Sequence, residues 1–386
     1  MDIKLFFNAV PEEVLEDDLP NSSFQKSIFI NHEVMYDLEG IKIALISVPE
    51  YRGAGLTERD NEGTHLFRRF LYRLSRNAGN GRILDLGEMR PGPTAQDTQL
   101  RLAEVVEYLL NKEVLPVIVG GSHDLDLGQY RGYQSLGKLL TWLAVDSRFD
   151  LDEKNENANS HLAKIIKYDP NYLFNYVHLG YQSYFVYPED LRLMDNLYFE
   201  PYRLGDIKGK LDEIEPVVRD ADALSFDLSS IQSHYCPGVI SPNVFGLTGE
   251  EACQICWYAG LNDKLSSVGF YSYLPSEDDS HHTTASVLAT MIWYFIEGYF
   301  NRKGDINFLN NDYTIFEVPL KGNPESIRFF KSNMSEKWWV EIPDENGVKS
   351  VFLRNKMVPC SYADYEKAVA GEIPQRYMSA FAKINT

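Results

Sequence analysis

The chain has 386 residues, 44% hydrophobic and 24% charged, which supports a substantial core in a water-facing globular protein. A formal net charge of −19 and a pI near 4.9 argue against nucleic acid or an anionic membrane as a partner. No apolar run is long enough to insert across a bilayer, the first residues lack a signal-peptide core, and Cys236, Cys253, Cys256 and Cys360 lack disulfide spacing, so a reduced cytoplasm is the expected compartment.

Residues 1–40 predict an acidic leading arm, with Glu12-Glu13 and Glu16-Asp17-Asp18 facing solvent. Ile41-Lys42-Ile43-Ala44-Leu45-Ile46-Ser47-Val48 opens the core as a strand ending at Pro49, followed by a glycine- and charge-rich loop over 51–63. A second strand is expected at 83–87. The spacing of Leu102, Val106, Leu109 and Leu110 predicts a helix over 98–112. Leu115-Pro116-Val117-Ile118-Val119 then runs into Gly120-Gly121-Ser122-His123-Asp124. Leu140-Thr141-Trp142-Leu143-Ala144-Val145 runs into Asp146-Ser147-Arg148-Phe149-Asp150. Residues 151–160 lose the apolar pattern and read as a loop. A strand at 176–180 and a helix at 211–220 precede Ala223-Leu224-Ser225-Phe226, which runs into Asp227-Leu228-Ser229-Ser230. Thr248 and Glu251 have capping-box spacing for a helix to about residue 260, a strand begins at 268, and residues 284–300 form a helix.

Short apolar runs without alternation are strands buried on both faces, and their alternation with helices is the signature of a parallel sheet. In such sheets ligands collect beyond the carboxyl ends of the strands. Three strand ends therefore bring His123, Asp146, Asp150 and Asp227 to one cleft. Three carboxylates and an imidazole suit a hard or borderline divalent cation such as Mn²⁺.

Over roughly residues 41–300 the chain resembles the arginase/agmatinase/formimidoylglutamase family, the ureohydrolases. Gly120-Gly121-Ser122-His123 is similar to the family's Gly-Gly-x-His motif, Asp146-Ser147-Arg148-Phe149-Asp150 to Asp-Ala-His-x-Asp, and Ser225-Phe226-Asp227-Leu228-Ser229 to Ser-x-Asp-x-Asp. Pro237-Gly238 and Gly246-Leu247-Thr248 match the family's residues downstream of that third motif. The resemblance implies a three-layer α/β/α fold with a mainly parallel sheet, here carrying an N-terminal arm (1–40) and a C-terminal extension (305–386) around a core at 41–304. It further implies a Mn²⁺ pair and hydrolysis of an amidino or formimino C–N bond. One metal would be held by His123, Asp146, Asp150 and Asp227, with Asp150 and His161 as the catalytic residues.

The departures are as informative. The second metal of the family needs a histidine and an aspartate where this chain has Arg148 and Ser229. A guanidinium has donors and no acceptor, so that site is expected to be lost. At most one Mn²⁺ or similar ion is then expected, and a metal-free salt-bridge cluster is the alternative, with Arg148 pairing with Asp146 or Asp227. The family's substrate-binding glutamate has no counterpart in Tyr271-Ser272-Tyr273-Leu274-Pro275. These losses lead to the expectation of a catalytically silent scaffold or interaction partner. The alternative is a metal-dependent, formimidoylglutamase-like hydrolase of a C–N bond.

Other features have plainer readings. Cys253-x-x-Cys256 lies in a helix and is expected to pack, and His234 with Cys236 is a weak nucleophile pair. His281-His282 precedes a helix capped by Thr283 or Thr284. In the extension, strand-like pieces at 313–318 and 337–342, a turn at 343–347 and a return at 348–353 predict a hairpin, with a short helix at 362–370. Trp338-Trp339 puts one ring on each face of a strand, where either one ring meets a protein partner or a second copy, or both are covered by the chain's own tail.

Overall fold

Eight parallel strands position the site: β1 Ile41–Val48, β2 Arg82–Met89, β3 Leu115–Gly120, β4 Leu140–Val145, β5 Leu173–Tyr181, β6 Glu200–Arg203, β7 Ala223–Asp227 and β8 Ser267–Tyr271. They come from a computed structural model that describes residues 2–32, 37–57, 63–77, 82–152, 158–308, 312–319, 326–343 and 356–385. The strand order is β2-β1-β3-β8-β7-β4-β5-β6. Phe7–Asn8 pairs antiparallel with β2, and Phe29–Ile30 pairs with it in parallel.

The non-alternating runs are explained by burial: every residue of β3, β4, β7 and β8 is buried. Side chains of β1 and β3 alternate between two cores. Ala44, Ile46 and Ile118 pack with Leu102, Val105, Val106 and Leu109 of the helix Ala95–Asn111. Ile43, Leu45, Val117 and Val119 pack on the opposite face with Leu288, Met291, Ile292 and Phe295 of the helix Thr283–Phe300. Helices on both faces of one parallel sheet give the expected three layers. No helix among the described residues is long and apolar enough to cross a membrane.

Several local expectations are corrected. The helix expected at 98–112 begins at Ala95, because Thr94 and Asp97 form a capping box one turn earlier. The helix Thr283–Phe300 is capped by Asp278 and Asp279 rather than by threonine. Thr283 N–H donates to Asp279 Oδ1 (3.0 Å) and Thr284 N–H to Asp278 Oδ1 (3.0 Å). Carboxylates at a helix start also answer its dipole.

The C-terminal strands form a second, antiparallel sheet in the order β9 Tyr313–Pro319, β10 Ser326–Ser332, β11 Trp338–Glu341 and β12 Met357–Cys360. The turn after 343 and the return at 348–353 lie outside the described residues, and the strand paired with β11 on that side is β12. Trp338 and Trp339 are both covered by the chain itself. Trp338 stacks on Phe316 and Tyr365, while the Arg219 guanidinium lies 4.4 Å from the Trp339 ring and donates to the Trp338 and Cys360 carbonyls. Lys383 Nζ reaches Glu200 Oε1 on β6 (3.0 Å), tying the last helix, Gln375–Asn385, to the parallel sheet.

Candidate metal centre and active site

His123 follows the end of β3, Asp146 and Asp150 follow β4, and Asp227 is the last residue of β7. β8 lies between β3 and β7, so these ends are close neighbours on one edge of the sheet. The two glycines before His123 are dictated by crowding. A Cβ on Gly121 would lie 2.2 Å from the Glu50 carbonyl oxygen, and one on Gly120 would lie 2.6 Å from the Tyr271 ring.

The four side chains meet. His123 Nδ1 lies 3.2 Å from Asp146 Oδ2, 3.4 Å from Asp150 Oδ2 and 3.2 Å from Asp227 Oδ2, with every side chain at most 8% exposed. Two of the carboxylates spend their other oxygen on local backbone. Asp146 Oδ1 accepts from the Arg148 N–H (3.2 Å), and Asp227 Oδ1 accepts from the Ser229 N–H (2.7 Å). All three Oδ2 atoms therefore turn toward the same imidazole nitrogen.

That nitrogen is buried and has no hydrogen-bond partner. At the far side of the ring, His123 Nε2 lies 2.9 Å from Ser225 Oγ. Ser225 Oγ donates to Asp126 Oδ2 (3.3 Å), which leaves it to accept from Nε2, so that loss of the Nδ1 proton would turn a lone pair toward the carboxylates, as a ligating histidine requires. Ser225 thus orients the ring. Ser225→Ala is expected to lower Mn²⁺ affinity about 10–100-fold with little loss of stability, measured by calorimetric titration. An unchanged affinity would make Ser225 a bystander.

Electrostatics point the same way. Burial, then the charges of Asp227 and Asp150, push the Asp146 carboxyl up to about 6. Burial opposes a charged His123, yet the three carboxylates hold its ring well above the ordinary range. Without another cation the cluster retains protons, and a divalent ion would take their place. Three anionic oxygens and an orphaned imidazole nitrogen fit Mn²⁺ or a similar ion. Asp150 adopts φ +51°, a left-handed backbone unusual outside glycine, as does Ser272 at φ +65° across the cleft.

His161 joins the cluster from behind. Its ring centroid is 4.3 Å from that of His123, its Nδ1 donates to the Ala158 carbonyl (2.7 Å), and its Nε2 lies 3.3 Å from Asp126 Oδ2. Burial favours a neutral His161 and pushes the Asp126 carboxyl up. Asp126, with Ser225 and the Tyr271 ring stacked 5.4 Å from His123, is not among the site residues expected from the sequence. The signal for Asp126 was an acid three residues after a ligand-type histidine, one helical turn away.

Arg148 and Ser229 both line the cleft, but Arg148 does not pair with Asp146 or Asp227 as expected. Only its backbone reaches Asp146. Its guanidinium carbon lies 4.3 Å from the centre of the Phe185 ring, away from the carboxylates. The stretch that lacks the family's glutamate buries Tyr271 and Tyr273 and presents Ser272 to the cleft. Elsewhere, Cys236 is buried with its thiol pushed up by burial while His234 is exposed, so they form no dyad. Cys256 is buried, and burial pushes the Cys253 thiol up to about 12, as packing residues would be.

Comparison with known proteins agrees with the fold. A model of the Arginase family matches residues 43–297. A formimidoylglutamase of Streptococcus gordonii is 24% identical over 292 residues, spanning 69% of this chain and 88% of that protein. Another from Fusobacterium nucleatum is 26% identical over 223 residues, spanning 53% and 69%. Among solved structures, a Trypanosoma cruzi formiminoglutamase with Mn²⁺ superposes with a TM-score of 0.62 at 17% identity, covering 70% of this chain and 97% of that one. The formimidoylglutamase of Bacillus subtilis gives 0.63 at 17%, covering 78% and 99%. With a parallel three-layer fold, strand-end motifs in the family's order and a family match over most of its core, this chain belongs to the arginase family.

Proposed function

We propose that the chain is a hydrolase of a non-peptide C–N bond, formimino or amidino, working with one divalent cation, Mn²⁺ or a similar ion. The observation that carries this reading is the convergence of three Oδ2 atoms on the orphaned His123 Nδ1. A silent scaffold has no need to keep three like charges buried around one point, since unpaired buried charge is costly. The relatives in the comparison are formimidoylglutamases, which fits the same chemistry. His123, Asp146, Asp150 and Asp227 would hold the ion, while Arg148 and Ser229 leave the family's second position without two of its ligands.

When bound, the cation supplies Lewis acidity toward the C–N carbon and acidifies the attacking water. The protein's own residues manage the protons. Asp150, whose Oδ2 lies between His123 (3.4 Å) and His161 Nδ1 (3.6 Å) and would face the ion, would take a proton from the water on its other carboxylate oxygen. As the C–N bond breaks, that proton passes to the departing nitrogen, so the amine leaves neutral and no charge accumulates. His161, its Nδ1–H held by the Ala158 carbonyl, packs beside Asp150 Oδ2 (3.6 Å) and shields the transfer.

The test is hydrolysis of formiminoglutamate, arginine and agmatine by the Mn²⁺-reconstituted chain, followed by release of formamide or urea. Turnover of a formimino or amidino acid that disappears on chelation and in Asp150→Asn is the expected result. No metal-dependent turnover of any of the three would return the scaffold reading to first place.

A further inference from the structure

Arg148 stands where two cavities meet. The inner one, about 150 Å³, holds His123 and the three carboxylates. The outer one, about 740 Å³, is walled by Tyr184, Phe185, Tyr187 and Asp190, and the two share Arg148, Asp150 and Asn159. Among the described residues lining both, Arg148 is the only lysine or arginine. Its neighbouring acids face histidines instead: Asp146 and Asp227 lie 3.2 Å from His123 Nδ1, and Asp150 lies 3.4 Å from it and 3.6 Å from His161 Nδ1.

The guanidinium is nevertheless held in place. Its carbon lies 4.3 Å from the Phe185 ring centroid, a cation–π contact that fixes the plane and leaves the N–H edge available. Along that edge Nε is buried and has no hydrogen-bond partner. A buried donor left unpaired is unfavourable, and Nε with an adjacent Nη is the fork that matches a carboxylate with two parallel hydrogen bonds. The inner cavity is also lined by Ser229, Ser241 and Ser272.

We propose that Arg148 is the specificity-determining residue of this site, clamping a free carboxylate of the substrate while the reacting C–N group lies in the inner cavity. The inference rests on the hydrolase reading and narrows it to amino-acid-derived substrates that keep a carboxylate, excluding decarboxylated amines such as agmatine. The position that holds a metal ligand in the family's motif is here given to the substrate's anionic end.

Glutarate, a dicarboxylate with no bond to hydrolyse, is the probe, titrated by calorimetry into the full chain both metal-free and Mn²⁺-reconstituted. 1,5-Diaminopentane serves as the cationic counterpart. Glutarate is expected to bind and the diamine is not. Arg148→Met should weaken glutarate about 10- to 100-fold, the loss expected for a charge-assisted fork. Arg148→Lys, which keeps the charge without the fork, should fall between. Mn²⁺ uptake should be the same in all three proteins, since Arg148 is no ligand. Equal glutarate affinity in the parent and Arg148→Met, or no glutarate binding by the parent at millimolar concentrations, overturns the proposal. Failure of the parent to take up Mn²⁺ overturns the hydrolase reading instead, and the metal-free titration still decides the role of Arg148.

Discussion

Asp227→Asn is expected to abolish tight Mn²⁺ binding and with it hydrolysis, while leaving the metal-free protein folded and modestly less stable than the parent. The amide oxygen can still accept from the Ser229 N–H, now 2.7 Å from Asp227 Oδ1, so the local turn survives. What is lost is the anionic Oδ2 that lies 3.2 Å from His123 Nδ1. In the metal-free state that loss relieves repulsion on Asp146, whose carboxyl is pushed up to about 6 by burial and then by Asp227, but it also gives up the pairing with His123 that holds the Asp227 carboxyl below its ordinary value. In the metal-bound state it removes a ligand, with an effect above the roughly 10–100-fold typical of residues that only orient ligands. An ion at about 100 times its dissociation constant stabilises the parent by about 2.7 kcal/mol, and the variant should gain almost none of this. Calorimetric melts with and without Mn²⁺ read both effects. A variant that keeps its Mn²⁺-induced rise in melting temperature would remove Asp227 from the ligand set.

Gly121→Ala should damage fold and site together. Its methyl group would sit 2.2 Å from the Glu50 carbonyl oxygen and 2.8 Å from the Glu50 carbonyl carbon, both backbone atoms that cannot rotate aside. The same stretch is bound on both sides. Gly121 N–H donates to the Val48 carbonyl (3.0 Å), and the Gly121 carbonyl accepts from the Ser272 N–H (2.6 Å). Relief of the overlap must separate the ends of β1 and β3, breaking these bonds and carrying His123 away from the aspartates. Overpacking of this kind costs about 1–3 kcal/mol, and the rigid backbone on both sides places this case at the upper end or beyond. Urea unfolding should register the loss of stability, and the same protein should bind Mn²⁺ at least about tenfold more weakly, as geometry-sensitive ligation requires. A parent-like unfolding midpoint with undiminished Mn²⁺ affinity would mean that the loop at Glu50 moves freely.

The convergence of His123, Asp146, Asp150 and Asp227 was legible in the sequence because each member sits at the end of an uninterrupted apolar run, and strand ends in a parallel sheet converge by topology alone. The bounds of β1 and β4 coincide with those apolar runs. Less legible were elements whose polar residues mask their pattern. β6 is only half-buried, the helix Pro188–Asn196 buries Met194 alone, and β10 mixes Arg328 and Lys331 into its alternation. Partnership across the fold was the hardest part. Nothing in the spacing of Asp146 and Arg148 reveals that the guanidinium turns to Phe185, which arrives on a different loop after β5. The contact of Asp126 with His161 likewise depends on how a short helix packs behind the site, and periodicity carries no information about that.

A single-cation centre built by His123, Asp146, Asp150 and Asp227 is tested by elemental analysis of the purified chain after reconstitution with excess Mn²⁺ and removal of loosely held ions. One Mn²⁺ per chain is expected in the parent and none in Asp227→Asn. Two tightly held ions in the parent would contradict the loss of the second position at Arg148 and Ser229. A parent that holds no ion at all would contradict the metal centre itself.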